Sequence, residues 1–225
     1  MTSFTIDIPD PATLKASRAT YRDLPAGIEL HRIHSSNFGA TEFNGTEYGN
    51  ARFSPIRRPD DTIIPTIYAA QTFECAISEI ILRSPDVCSI DPATGASVSI
   101  VVRPYKWRAS VHSTLQSTRN LRLVDLTVQG QRRLGVDRNA LLAGPTATYS
   151  TTRAWAEAIH RDCPGAHGLH YTSHQFGPTF AIMLFGDRVP DAIVAIAPSR
   201  SVADPACDRQ IRVLAQSFGY EYEDL

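Results

Sequence analysis

Four kinds of side chain in this sequence have the chemistry to hold a phosphorylated, ring-bearing substrate and stabilise a developing cation on it. Arg32 stands in ELHRI, Arg52 in YGNARFSP with Tyr48 at its head, Tyr68 in TIYAA, Glu79 in AISEI, and Ser173 far downstream in YTSHQ. An arginine is a permanent cation whose planar fork grips phosphate oxygens in pairs. A tyrosine face holds a flat ring while its hydroxyl contacts a sugar or an amide. A carboxylate beside a carbon that becomes cationic lowers the energy of that transition state. Glu79, Arg32, Tyr68, Arg52, Ser173 and Tyr48 are therefore candidate site residues by type. Taken singly, each has a structural alternative: a charge on an edge strand, a core aromatic, an exposed helix carboxylate.

The elements that must position these residues follow from periodicity. Residues 28–33 read as a strand with Ile28, Leu30 and Arg32 on one face, and 63–70 as a buried strand carrying Tyr68. Thr72 is placed to cap a helix over 73–83, whose stripe of Phe73, Ala76, Ile77 and Ile80 leaves Glu79 on the flank. Between the two strands, 34–65 is a Gly/Asn/Ser/Pro-rich stretch of about 30 residues, longer than an ordinary connector and of the kind usually functional or disordered. Further strands are expected at 97–102, 121–126, 168–171, 179–185 and 192–196. A short helix is expected around 11–21, and others over 132–142, over 151–161 behind Ser150, and over 205–218 behind Asp204 with Pro205 in the first position. The stretch 104–120 resembles an insertion and receives no assignment. Strands outnumber helices and do not alternate with them strictly, which predicts an α+β fold on a mixed or antiparallel sheet rather than a doubly wound one. Residues 1–27 form a polar, Pro-punctuated lead-in; 28–225 form a single domain ending in a helix.

Composition excludes several classes. With 22 Lys plus Arg against 23 Asp plus Glu, the chain has no overall field to hold it on nucleic acid or an anionic membrane. The N-terminus lacks the basic start and apolar run of a signal peptide, and no stretch approaches the roughly 20 apolar residues of a membrane span. The four cysteines Cys75, Cys88, Cys163 and Cys207 are widely spaced and read as reduced, mostly buried thiols, so a cytoplasmic location is expected. No GxGxxG follows a strand, GPTATYS lacks the lysine of a phosphate-binding loop, and Ser173 is outside a GxSxG elbow. His167, His170 and His174 have helical metal-ligand spacing on a segment that reads as strand and turn, so no metal is assigned. The pairs Arg57-Arg58 and Arg132-Arg133 read as solvated charge.

Taken in order, the clusters resemble the RES family, where Leu-Tyr/His-Arg-Ile precedes Gly-Gly-Arg-Trp-Asn, then Tyr-Ala/Thr-Ala, Ala-x-x-Glu and Asp/His-Gly-hydrophobic-x-Tyr-x-Ser. Here these correspond to residues 30–33, 49–54, 68–70, 76–79 and 167–173, so the resemblance spans roughly 28–196. One motif departs: Asn50-Ala51-Arg52-Phe53-Ser54 keeps the arginine and an aromatic but loses one glycine and the asparagine. The resemblance implies a fold similar to ADP-ribosyltransferases. It also implies an activity that degrades NAD⁺ by phosphorolysis or hydrolysis, as the toxin of a toxin–antitoxin pair whose partner is a helix-turn-helix antitoxin. NAD⁺ is then substrate rather than cofactor, with inorganic phosphate as a candidate co-substrate; self-association is left open. Under this reading Arg32 and Arg52 meet the pyrophosphate, Tyr68 and secondarily Tyr48 hold the nicotinamide end, Glu79 faces the ribosyl cation, and Ser173 bonds a phosphate or the nucleophile. Nicotinamide leaves as a neutral molecule from a cationic ring, so a single carboxylate suffices where glycosidases use two. Two alternatives remain: transfer of ADP-ribose to a macromolecule, and a non-catalytic NAD-binding module.

Overall fold

Strands buried on nearly every residue set the architecture, because such strands must be covered on both faces. The computed structural model describes residues 7–83, 93–94 and 100–223. In chain order its elements are β1 (Tyr21–Leu24), β2 (Glu29–Ser35), β3 (Ile56–Arg57), β4 (Ile63–Ile64), β5 (Thr66–Ala70), α1 (Phe73–Ile80), β6 (Val101–Val102), β7 (Ser110–Ser117) and β8 (Leu121–Asp125). Then come α2 (Val128–Leu134), α3 (Ala140–Ala143), α4 (Tyr149–Asp162), β9 (Gly168–Thr172), β10 (Phe180–Phe185), β11 (Ile193–Ala195), β12 (Arg200–Ser201), α5 (Pro205–Ser217) and β13 (Glu221–Tyr222). Nine strands form one sheet in the order β1-β8-β9-β10-β5-β2-β7-β11, with β12 also on β7. Only β8 and β9 run parallel within it, so the sheet is mixed and the fold is α+β, as expected.

Both faces of the sheet are buried. Along β10, Ala181, Met183 and Phe185 pack with Trp155 and Ile159 of α4, Ile77 of α1 and Ile211 of α5. The alternate residues Ile182 and Leu184 join Leu30, Ile67, Leu115 and Leu123 on the opposite face. Gly168 belongs to this geometry: a Cβ there would lie 2.2 Å from the carbonyl oxygen of Met183, so the His-Gly motif keeps β9 against β10.

Several expectations are corrected. The helix expected over 132–142 is two helices, α2 and α3, because Gly135 adopts a left-handed φ of 101° and closes α2. The helix expected around 11–21 is replaced by two 3-10 turns, and Tyr21–Leu24 then enters the sheet beside β8. α4 starts at Tyr149, ahead of Ser150, which lies inside the helix rather than capping it. The helix expected over 73–83 ends at Ile80, and Ile80 is exposed; the buried residues are Cys75, Ala76, Ile77 and Ser78. The Thr72 cap is in place, its hydroxyl accepting from the Cys75 N–H, and Asp204 accepts from the Ala206 and Cys207 N–H groups. The unassigned stretch 104–120 contains β7, an eight-residue strand beside β2. Of the strand expected at 97–102, Val101–Val102 is present and 97–99 lie outside the described residues. Cys75, Cys163 and Cys207 are free and buried, while Cys88 lies outside the described residues. Among the described residues no helix is long and apolar enough to cross a membrane.

Candidate active site

Strands β2 and β5, the helix α1 that follows β5, and the turn after β9 bring the sequence-predicted residues to one place. Arg32 on β2, Tyr68 on β5 and Glu79 on α1 line a single cavity of about 280 Å³, together with Arg52 and Tyr48 from the long connection between β2 and β5. Arg32 is only 7% exposed. Its Nη1 donates to the carbonyls of Gly39 (3.2 Å) and Ala40 (2.6 Å), which ties the start of the 34–65 stretch to the sheet. Burial brings its pKa down to about 10, so it remains a cation at neutral pH. The Tyr68 hydroxyl accepts from the Phe53 N–H at 3.2 Å, and burial raises its pKa to about 12. Tyr48 is 80% exposed and stands at the mouth.

Glu79 is held by the turn after β9. The Ser173 hydroxyl donates to Glu79 Oε1 at 2.5 Å and accepts from the Phe176 N–H at 2.8 Å, and the Gln175 N–H also points to Oε1 at 3.5 Å. Both hydrogen-bonding functions of Ser173 are thus engaged, and Ser173 is itself buried. Its position is that of an orienting group for the carboxylate rather than a direct substrate contact. Tyr171, two residues earlier, lines the cavity; burial first, and Glu79 second, push its hydroxyl well above the ordinary tyrosine range.

The Gly/Asn-rich stretch is fixed by α4, whose successive turns face it. Thr152 donates to the Arg52 carbonyl, Arg153 to the Ala51 carbonyl and the Asn50 side chain, and Glu157 accepts from the Arg57 N–H at 2.8 Å. Asn44 and Thr66 exchange backbone hydrogen bonds at 2.8 and 3.0 Å. Arg52 Nη1 donates to the Gly144 carbonyl at 2.9 Å, and its guanidinium lies over the Tyr149 ring, 4.9 Å from the centroid. Arg83 lies over the same ring at 5.0 Å. Among the described residues, the charged ones lining the cavity are Arg32, Arg52, Arg83 and Glu79, a local positive excess in a chain of net charge −1.

Histidines that sequence reasoning did not single out form the wall beside β7. His34 Nδ1 is 2.9 Å from the Ser35 carbonyl, an acceptor only, so Nδ1 carries the proton. In the neutral ring Nε2 then accepts from the Ser113 hydroxyl at 2.7 Å, and Ser113 accepts from Ser199 at 2.6 Å. Burial, then Arg32, lower the His34 pKa. His31 Nδ1 and His112 Nε2 are 3.0 Å apart, a contact that holds one proton and is broken if both rings are fully charged. Burial, then His31, bring His112 down to about 4. This has a sign for stability: above pH 6.5 His112 is neutral folded and unfolded, and between 6.5 and about 4 only the unfolded chain takes up the proton. Acidification across that window should therefore cost up to about 3 kcal/mol. Thermal melts from pH 7 to 4 are expected to show a steeper fall for the wild type than for His112→Gln; parallel curves would contradict the assignment.

All six sequence-predicted residues meet at this place, Ser173 one bond behind the cavity wall and Tyr48 at its rim. Tyr149, Arg83, His31, His34 and Tyr171 were missed as site residues; of these His31 and Tyr171 carried a signal, His31 inside Leu-His-Arg-Ile and Tyr171 inside the motif that ends at Ser173. His167 and His170 lie apart from the site, His167 accepting from the Arg122 N–H and His170 against Phe180, while His174 lines the cavity. Among the described residues no group of three or more His, Cys, Asp or Glu is placed to hold a metal ion. The family model described as RES domain matches residues 29–209. The comparison with curated proteins gives no match. Among solved structures, the crystal structure of the M. tuberculosis MbcT–MbcA toxin–antitoxin complex contains a chain similar to this one. The TM-score is 0.60 at 14% identity, over 93% of this chain and 100% of that one, a likeness of fold.

Proposed function

We propose that this chain, which belongs to the RES-domain family, cleaves the bond between nicotinamide and ribose in NAD⁺, and does so in the cytoplasm as the toxin of a toxin–antitoxin pair. The observation that carries the reading is the convergence of Arg32, Tyr68 and Glu79, with Ser173 behind the carboxylate, on one cavity from motifs spread over 140 positions. Its charge suits the substrate: the arginines face a pyrophosphate, and the lone carboxylate faces the carbon that becomes cationic. At about 280 Å³ the cavity is just below the usual range for a small-molecule site, roughly 300–1,000 Å³, and admits one end of a dinucleotide. The remainder lies across the mouth beside Tyr48.

In this mechanism the C1′–N bond breaks with its electron pair going to the pyridinium nitrogen, and nicotinamide departs neutral. Glu79, fixed by Ser173, stabilises the oxocarbenium-like ribosyl group, and an oxygen of phosphate or water forms the new bond to C1′, an attacking water releasing one proton to solvent. Tyr68 packs on the departing ring. Arg32 and Arg52 keep the pyrophosphate in register. The fold likeness to a chain from a toxin–antitoxin complex supports an antitoxin partner, proposed to be a helix-turn-helix protein.

The test is incubation of the purified chain with NAD⁺, with and without inorganic phosphate, and identification of products by mass. Free nicotinamide with ADP-ribose or its 1″-phosphate is expected, and the phosphate dependence names the nucleophile. NAD⁺ left intact at high enzyme would overturn the reading. Label transferred from NAD⁺ to macromolecules in cell extract would favour an ADP-ribosyltransferase, and binding without turnover a non-catalytic module.

A further inference from the structure

We infer that Arg83 is a phosphate-binding residue at the Tyr149 end of the cavity, a role that rests on the proposed dinucleotide substrate and sharpens it. The other two arginines of the cavity already donate to backbone carbonyls: Arg32 Nη1 to Gly39 and Ala40, Arg52 Nη1 to Gly144. Arg83 makes no hydrogen bond and no ion pair among the described residues, and its nearest acidic neighbour in the cavity, Glu79 four positions earlier, is not within ion-pair distance. A half-buried guanidinium with its donors unused is a strong acceptor of anions, because its fork meets two oxygens of one phosphate at once.

Arg83 is also held in place. Its Cζ lies 5.0 Å from the centroid of Tyr149, a ring only 2% exposed at the start of α4. Stacking on a fixed aromatic face restrains the long side chain without consuming its N–H groups. The Arg52 guanidinium also lies over that ring, at 4.9 Å, so the Tyr149 end of the cavity carries two arginines. Their charges give that end of the cavity a positive potential, which favours an anion there. Phosphate is the shared chemistry of two sources, the pyrophosphate of the dinucleotide and inorganic phosphate as the attacking co-substrate.

Calorimetry separates these without requiring turnover. Wild-type protein, Arg83→Gln and Arg83→Lys are titrated in turn with ADP-ribose and with inorganic phosphate, and thermal melts verify that the variants fold. Arg83→Gln is expected to weaken at least one ligand by about tenfold or more. Arg83→Lys, which keeps the charge but not the fork, should fall between. Loss confined to ADP-ribose assigns Arg83 to the pyrophosphate; loss confined to inorganic phosphate assigns it to the co-substrate. Equal binding of both ligands by wild type and Arg83→Gln, or no binding of either by wild type, overturns the inference. Absence of NAD⁺ cleavage by a wild type that still binds ADP-ribose through Arg83 would instead remove the proposed reaction and leave this site standing.

Discussion

Glu79→Gln is expected to lower single-turnover cleavage of NAD⁺ by about 10²-fold or more while the affinity for NAD⁺ changes only a few-fold. The substitution keeps the side-chain shape, and the Ser173 hydroxyl, now 2.5 Å from Oε1, can donate equally to the amide oxygen of glutamine. What is withdrawn is the negative charge. In the ground state the ribose carbon is part of a neutral sugar and gains little from that charge; in the transition state it is cationic and gains most. Binding by calorimetry alongside rapid-mixing kinetics measures the two separately. Near-normal turnover would return Glu79 to the role of a carboxylate on a helix flank, oriented by Ser173 for structural reasons alone.

Arg32→Ala is expected to reduce both NAD⁺ affinity, by about tenfold or more, and turnover, because a charge-assisted contact to phosphate is present in the bound complex and in the transition state alike. It should also destabilise the fold by about 1–3 kcal/mol, since the Gly39 and Ala40 carbonyls lose their donor in a partly buried site. Arg32→Lys should rescue little, as an ammonium cannot hold two carbonyls and a phosphate in one plane. Denaturant melts and NAD⁺ titrations of the two variants check this. Retained affinity with lost turnover would move Arg32 from substrate binding to the transition state.

These residues were legible because each sits in a short motif on an element that the sequence marks: Arg32 on a strand with Leu30 on its buried side, Glu79 behind the Thr72 cap. The strand beside Arg32 was not legible. In β7, His112, Ser113 and Ser117 are buried yet polar, satisfied by His31, by His34 and Ser199, and by the Pro25 carbonyl. A strand whose inward side chains are hydrogen-bonded partners rather than hydrocarbons shows no hydrophobic alternation. The break at Gly135 was hidden for a different reason, since a glycine inside a helical pattern reads as tolerated until its φ is known. Arg83, three residues beyond α1, and Tyr149, the first residue of α4, meet only when the two halves of the chain fold together. Neither residue lies in a motif.

The place of β10 bears on when the site comes into being. It is the strand that joins β5 to β9, and it is made about a hundred residues after Glu79 and Arg83. At roughly 5–20 residues per second, a ribosome needs about 5–20 s to pass from one to the other. Throughout that interval the nascent chain exposes its arginines and its carboxylate without the Ser173 turn that aims the carboxylate or the strand that closes the sheet. The growing polypeptide therefore lacks this cavity until β10 has been made, and a chain abandoned before Phe185 leaves behind no assembled cavity.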